Sequence, residues 1–281
     1  GNMHSRKTSK AIKMTTTYVI LIISLLWTIF PLYWMVKSSF TIDKEMYVAR
    51  PALFDIAFTT EHYVDLMVNA KFLVNLGNSL MIAAITTIFG LTVSVFASYA
   101  MTRLKYPGRK FFSSTVIISY LLPTAVLFIP MYIFVSKLGL GGTRWAMLVI
   151  YPTFVVPYCC YMLRSYFTAI PYALEEAALI DGCTRLQSLR HIVVPIALPG
   201  IAVTATFAFT MSWNEYLYAM IMTTSMKEMT ATVAISSWKY GDIVNWGRIM
   251  AGCVVASLPV TIIYIIAQSL LVSGKADGSV K

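Results

Sequence analysis

Apolar residues in this chain gather into long unbroken runs separated by short polar segments. Six runs, at about residues 17–36, 75–101, 112–136, 145–164, 197–222 and 249–272, each supply the roughly 20 predominantly apolar residues that a bilayer-spanning helix needs. Between them lie an N-terminal segment (1–16), a long loop (37–74), a short basic loop (103–110), a patterned segment ending at Pro195, a second long loop (223–248) and a tail (273–281). The pattern predicts an all-α membrane protein of six transmembrane helices.

Composition agrees. Of 281 residues, 58% are hydrophobic and only 12% charged, against about 25% charged in a typical soluble domain. So few charges cannot coat a protein in water, and lipid must solvate much of the surface. The net charge of +10 does not point to nucleic acid, because the Lys and Arg sit at the ends of apolar runs instead of forming a basic face. Their distribution specifies orientation. With the N-terminus inside, the inner segments carry 13 of the 22 basic residues, most densely as Arg103, Lys105, Arg109 and Lys110. The short dense loop dominates the positive-inside rule, so both termini are expected to be cytoplasmic. The first run follows Arg6, Lys7, Lys10 and Lys13 but lacks a small-residue cleavage site, and is read as an uncleaved anchor. Gly1 and Asn2 before Met3 are left out of the fold reading.

Little chemistry is on offer. Cys159, Cys160, Cys183 and Cys253 lack metal-ligand spacing and read as small apolar residues. The three histidines (His4, His62, His191) are scattered outside the spans, which argues against a membrane-embedded enzyme. No G-x-x-x-x-G-K-[ST] phosphate loop occurs, so the chain is expected to be no ATPase. Loop 37–74 is long enough for a small cap, and Trp238, Tyr240 and Trp246 in loop 223–248 suit an interfacial aromatic belt. The spans are rich in proline (Pro123, Pro130, Pro152, Pro157, Pro195, Pro199, Pro259), each residue removing a backbone hydrogen bond that neighbours must replace. Glu215 is the one acid inside a run, near its outer end; beside it stand Trp213 and Asn214. An intramembrane acid faces either a pathway or a structural partner, and both readings stand. Tyr120, Tyr151, Tyr158 and Trp213 offer rings for stacking on a sugar, with packing the commoner role for each.

The segment between spans four and five is unlike the others. Pro171 suits a first helical position. Leu174, Ala177, Ala178 and Asp181 recur at i, i+3, i+4 and i+7 and predict a narrow stripe of small residues on one face. Gly182 then ends the helix in a left-handed turn. Thr184, with Gln187 three residues on, predicts a capping box that starts a second short helix with Leu186, Leu189 and Ile192 on its apolar side, closed by Pro195. This is a cytoplasmic two-helix hairpin. Its spacing alone fits a docking surface for another protein and an amphipathic hairpin packed on headgroups or under its own bundle equally well.

The same residues resemble the EAA signature of binding-protein-dependent ABC importer permeases: Glu-Ala-Ala, three residues, Gly, nine residues, Ile-x-Leu-Pro. Here it reads Glu176-Ala177-Ala178, Gly182, then Ile192-Val193-Val194-Pro195, with Asp181 before the glycine and Val194 in place of Leu. The Tyr106-Pro107-Gly108 loop, the Trp213-Asn214-Glu215-Tyr216-Leu217 run and the short tail extend the resemblance to the carbohydrate-uptake branch of that family, over about residues 17–275. The resemblance implies the type I ABC importer permease fold, with its core over 75–269, in a bacterial inner membrane. It implies docking of the 173–182 helix in a cleft of an ATPase, with Glu176 as polar anchor, and a pathway or gate near Trp213, Asn214 and Glu215. The implied partners are a second homologous permease, two ATPase subunits that bind ATP and Mg²⁺, and an external solute-binding protein; the chain itself would hold no cofactor. A non-sugar importer of the same superfamily is the main competing reading. A secondary transporter is a weaker one, since it would need more mid-membrane ionisable groups than Glu215.

Overall fold

The computed structural model describes residues 2–48, 52–54, 57–240 and 243–276. Arg50, Pro51 and Asp55 of the long loop and the end of the tail, including Lys281, lie outside the described residues. In chain order the helices are α1 (Asn2–Ser39), α2 (Asp43–Met46), α3 (Glu61–Val68), α4 (Phe72–Arg103), α5 (Arg109–Leu121), α6 (Phe128–Lys137), α7 (Trp145–Ile150), α8 (Pro152–Ala169), α9 (Tyr172–Ile180), α10 (Arg185–Ser188), α11 (Val194–Ile196), α12 (Leu198–Trp213), α13 (Leu217–Met222), α14 (Ala231–Ser236) and α15 (Trp246–Ala276). The only strands among the described residues are β1 (Lys239–Tyr240) and β2 (Ile243–Val244), an antiparallel hairpin with Lys239 opposite Val244.

The chain divides into two compact units. The first comprises Gly1–Ala70 and Trp238–Val255. In it, α1 exposes nearly every apolar side chain from Tyr18 to Leu32, Trp27 to 82%, as a helix solvated by hydrocarbon must. Beyond α1, Phe40 stacks on Phe58 and leans on Tyr63, with centroids 5.1 and 4.9 Å away. The His62 Nε2 lies 2.8 Å from the Thr41 carbonyl oxygen. His62 also lies flush on the first turn of α15, where a β-carbon at Gly247 would stand only 2.2 Å from the ring. An Arg248–Asp65 ion pair ties the same turn to α3. Loop 37–74 thus carries helical structure of its own. Trp238 departs from the aromatic-belt expectation: it is buried, with the Arg248 guanidinium over its ring, whereas Trp246 stays exposed.

The second unit, Lys71–Ser237 and Ala256–Lys281, is built on mutual packing of α4, α8 and α12, with α5 against α8. Helices in lipid gain nothing from excluding water from each other, so close approach through small residues takes over. Gly90, Ser94 and Ser98 recur every fourth residue along α4. A β-carbon at Gly90 would meet Val155 Cγ1 at 2.9 Å, and the two serines donate to the Val156 and Cys160 carbonyls at 3.1 and 3.3 Å.

Among the described residues, four helices are long and apolar enough to cross a membrane, or up to six if each of two sharply bent pairs is one span. One bend falls inside a predicted run and the other at the start of one. The run at 112–136 turns by 93° between α5 and the Thr124–Lys137 segment, because Pro123 holds Leu122 in extended backbone (ψ 130°). The Arg185–Ile196 segment meets α12 at 79°, where Pro195 and Pro199 both lack the N–H that would continue the ladder. The run at 197–222 also stops at Trp213 and resumes at Leu217.

Candidate functional site

The predicted hairpin forms. Pro171 sits just outside α9 in extended backbone (ψ 131°) instead of at its first helical position. Gly182 has φ +88°; the Cys183 N–H donates to the Ala178 carbonyl at 2.9 Å and the Gly182 N–H to Leu179 at 3.2 Å. This pair of bonds is a Schellman cap, which uses the orphan carbonyls of the last turn and requires a residue at ease with positive φ. The Thr184 box is complete: the Gln187 N–H donates to Thr184 Oγ1 at 3.3 Å, and the Thr184 N–H to Gln187 Oε1 at 2.7 Å. After α10 the chain makes one π-helical turn over Leu189–Val193 before α11. Ile192 is half-buried in this stretch and Pro195 exposed.

The faces differ from the expected stripe. Glu175 and Ala178 turn inward, while Leu174, Glu176, Ala177, Asp181 and Gly182 are exposed. The reason lies in the partner of Glu175. The Tyr99 hydroxyl, on α4, donates to Glu175 Oε1 at 2.6 Å, and Arg103 Nε stands 3.6 Å from Glu175 Oε2. Arg103 in turn donates to the carbonyls of Phe167 and Ile170 at the end of α8, the latter at 2.7 Å. One guanidinium therefore caps α8 and faces the α9 carboxylate, with both side chains at most 5% exposed. Arg109 does similar work for α4, donating to Met101 and Leu104 carbonyls at 2.8 and 3.1 Å. Two arginines read as orientation signals are also helix C-caps. On the outside, Ile180 is 85% and Leu186 62% exposed. Leu186 was expected on the apolar side of the second helix; there Leu189 alone is fully buried, within a cluster that includes Tyr99, Phe167 and Val193.

Trp213, Asn214 and Glu215 do not form one site. Trp213 is buried against Ala83 and Phe209, Asn214 is exposed, and Glu215 is half-buried at the gap before α13. Its carboxylate accepts from the Tyr151 hydroxyl at 2.9 Å and from the N–H groups of Tyr218 and Ala219 at 2.9 and 3.1 Å. It satisfies the first turn of α13, where a negative charge is also favoured by the helix dipole. This geometry gives Glu215 structural partners. Glu215→Gln keeps one acceptor but loses the charge, and is expected to cost about 1–2 kcal/mol, read as a lowered thermal midpoint with membrane insertion intact.

A second polar cluster escaped the sequence reading. Asn75 and Asn78, one turn apart at the start of α4, donate to the carbonyls of Met226, Lys227 and Met229 at 2.7–3.0 Å. Arg144 Nη1 donates to Asn78 Oδ1 at 2.7 Å, and the Glu228 carboxylate accepts from the Arg144 N–H at 3.0 Å. The loop after α13 is thus clamped to α4. Two amides one turn apart in an apolar run were the available signal. Among the aromatics, Tyr151 is buried, whereas Tyr120 and Tyr161 stack at 5.6 Å beside Tyr158 on a partly exposed face.

Residues 90–276 match the protein family described as binding-protein-dependent transport system inner membrane component. The inner membrane ABC transporter permease protein YcjP of Escherichia coli (strain K12) is 32% identical, over 94% of this chain and 95% of that relative. The trehalose/maltose transport system permease protein MalG of Thermococcus litoralis is 32% identical, over 90% and 91%. Among solved structures, a chain from a bacterial ABC transporter involved in the import of the acidic polysaccharide alginate superposes with a TM-score of 0.80 at 22% identity, over 93% of this chain and 97% of its own.

Proposed function

The chain belongs to the family of binding-protein-dependent transport system inner membrane components, and from that membership we propose that it is the permease subunit of an ATP-driven importer carrying a sugar or oligosaccharide. The observation that carries the substrate class is likeness along nearly the whole length to a trehalose/maltose permease. In this reading six spans cross the inner membrane with both termini in the cytoplasm; α5 and the Thr124–Lys137 segment count as one span, and the Arg185–Ile196 segment stays in the cytoplasmic hairpin ahead of the span that begins with α12. A second homologous permease completes the pathway, an external solute-binding protein delivers the sugar, and two ATPase subunits bind ATP and Mg²⁺. This chain is the mechanical half, not an enzyme.

The hairpin is the coupling element. Its inner face is fastened to α4 and α8 through Glu175, Tyr99 and Arg103. Its outer face offers Glu176 and Ala177 with Leu174 and Ile180, apolar area that water solvates poorly and that suits a protein cleft. Asp181 and Gly182 set the turn, and Ile192 and Pro195 lead into α12. Of the three residues expected near the pathway, Asn214 keeps that role, since broken backbone at membrane depth is tolerated where it is buried in protein or lines a cavity. Glu215 braces the break and Trp213 packs behind it.

The test is ATP hydrolysis by the transporter reconstituted in liposomes with its binding protein. Stimulation by a sugar-loaded binding protein, with sugar accumulating inside, is the expected result. Stimulation only by an amino acid or an inorganic ion would retain the importer and overturn the sugar.

A further inference from the structure

We propose that the end of α1 holds a binding site for the zwitterionic headgroup of a membrane phospholipid. In the first unit, Trp34, Lys37 and Ser38 of the last turns of α1, Glu45 and Met46 of α2, and Trp246 and Met250 of α15 line a cavity of about 230 Å³. That is below the roughly 300–1,000 Å³ of sites for drug-sized ligands, which sets this cavity apart from an oligosaccharide path.

Its charges are arranged unusually. Lys37 is 8% exposed, and its ammonium stands 4.7 Å from the centroid of the Trp34 ring, yet no carboxylate among the described residues lies within ion-pair distance of it. Glu45 lines the same cavity and accepts from the Ala57 N–H at 3.1 Å, but makes no ion pair with Lys37. Two opposite charges thus face one small space without meeting. Burying an ammonium away from water is costly unless an anion accompanies it. The helix dipole favours a lysine in this turn, but it asks for neither a cavity nor a second charge.

A phosphodiester bearing an amine satisfies both groups: phosphate on Lys37, ammonium toward Glu45 and the indole faces, which attract cations. The position suits a lipid rather than a solute. Trp34 lies near the end of one candidate span, Lys13–Ser39, and Trp246 begins another, Trp246–Gln268. Interfacial tryptophans sit at headgroup depth, so the acyl chains of a lipid held here would run along exposed α1.

The test is native mass spectrometry of the delipidated intact transporter, titrated separately with dihexanoyl phosphatidylethanolamine, dihexanoyl phosphatidylglycerol and inorganic phosphate. Wild type is expected to hold one phosphatidylethanolamine at least tenfold more tightly than Lys37→Gln, and to prefer it over phosphatidylglycerol. Glu45→Gln, at a half-buried position, is expected to erase that preference, and it serves as the readout should Lys37→Gln fail to assemble. Equal retention by wild type and Lys37→Gln, or an unaltered headgroup preference in Glu45→Gln, overturns the site. Equal occupancy by inorganic phosphate assigns it to a free anion and overturns the lipid.

Discussion

Glu175→Ala is expected to destabilise the transporter by about 3–5 kcal/mol, the usual cost of removing one partner from a buried ion pair, and to uncouple ATP hydrolysis from sugar. The effect is large because of what remains. Arg103 cannot follow its lost partner to water: its guanidinium is held by the Phe167 and Ile170 carbonyls at the end of α8, and the side chain is 5% exposed. The Tyr99 hydroxyl loses its acceptor at 2.6 Å as well. α9 then keeps only Ala178 facing inward, too little to hold a short helix against thermal motion. Glu175→Gln retains the acceptor for Tyr99 and should lose about half as much, separating shape from charge. The double replacement Glu175→Leu with Arg103→Met should recover part of the loss, since a buried pair exchanged for apolar groups is often neutral; it cannot recover all, because the α8 carbonyls lose their donor. Thermal unfolding and sugar-stimulated ATPase activity, measured on the same preparations, read both effects. Exposed Glu176→Ala is the matched control, expected to leave the thermal midpoint unchanged while weakening association with the ATPase. Equal destabilisation by Glu175→Ala and Glu176→Ala would remove the distinction between an inner anchor and an outer docking residue.

That distinction also marks the limit of what the sequence makes legible. α1, α4 and α15 were visible because a long apolar run needs no partner to be recognised. The hairpin was visible because caps are local: Gly182, and Thr184 with Gln187, act within three residues of themselves. The inward carboxylate was not. Glu175 and Glu176 are adjacent acids on one helix, and which of them turns inward depends on Arg103 and Tyr99, more than 70 residues earlier in the chain. The same applies to Glu215, whose hydroxyl donor Tyr151 is 64 residues distant, and to Trp238, which is buried with the Arg248 guanidinium over its ring. The bends at Pro123 and at Pro195–Pro199 were hidden for another reason. An apolar run bent by 93° has the composition of a straight one, and proline, present at both bends, also occurs inside intact α1 and α8.

Gly182→Pro is expected to abolish sugar-stimulated ATP hydrolysis while leaving the spans inserted. The native turn needs φ +88°, and proline is fixed near −65°. The ring also removes the N–H that donates to Leu179, and it disfavours the near-helical backbone of Asp181, φ −74° and ψ 8°. The Schellman cap therefore cannot form, and the chain leaving α9 is redirected before it reaches Thr184. Side-chain crowding plays no part, since a β-carbon at Gly182 would meet nothing within 4 Å. That makes the position a clean gauge of backbone strain. Alanine should cost about 1–2 kcal/mol, the penalty of a left-handed residue with a β-carbon, and asparagine less, because its side chain tolerates that region. Coupling should fall in the order Gly, Asn, Ala, Pro, with basal hydrolysis by the partner ATPase nearly constant. A flat series would mean that the turn only connects α9 to α10. A graded one means that the angle between the two short helices is itself what the ATPase moves, with Glu175 and Arg103 passing that movement to the ends of α4 and α8.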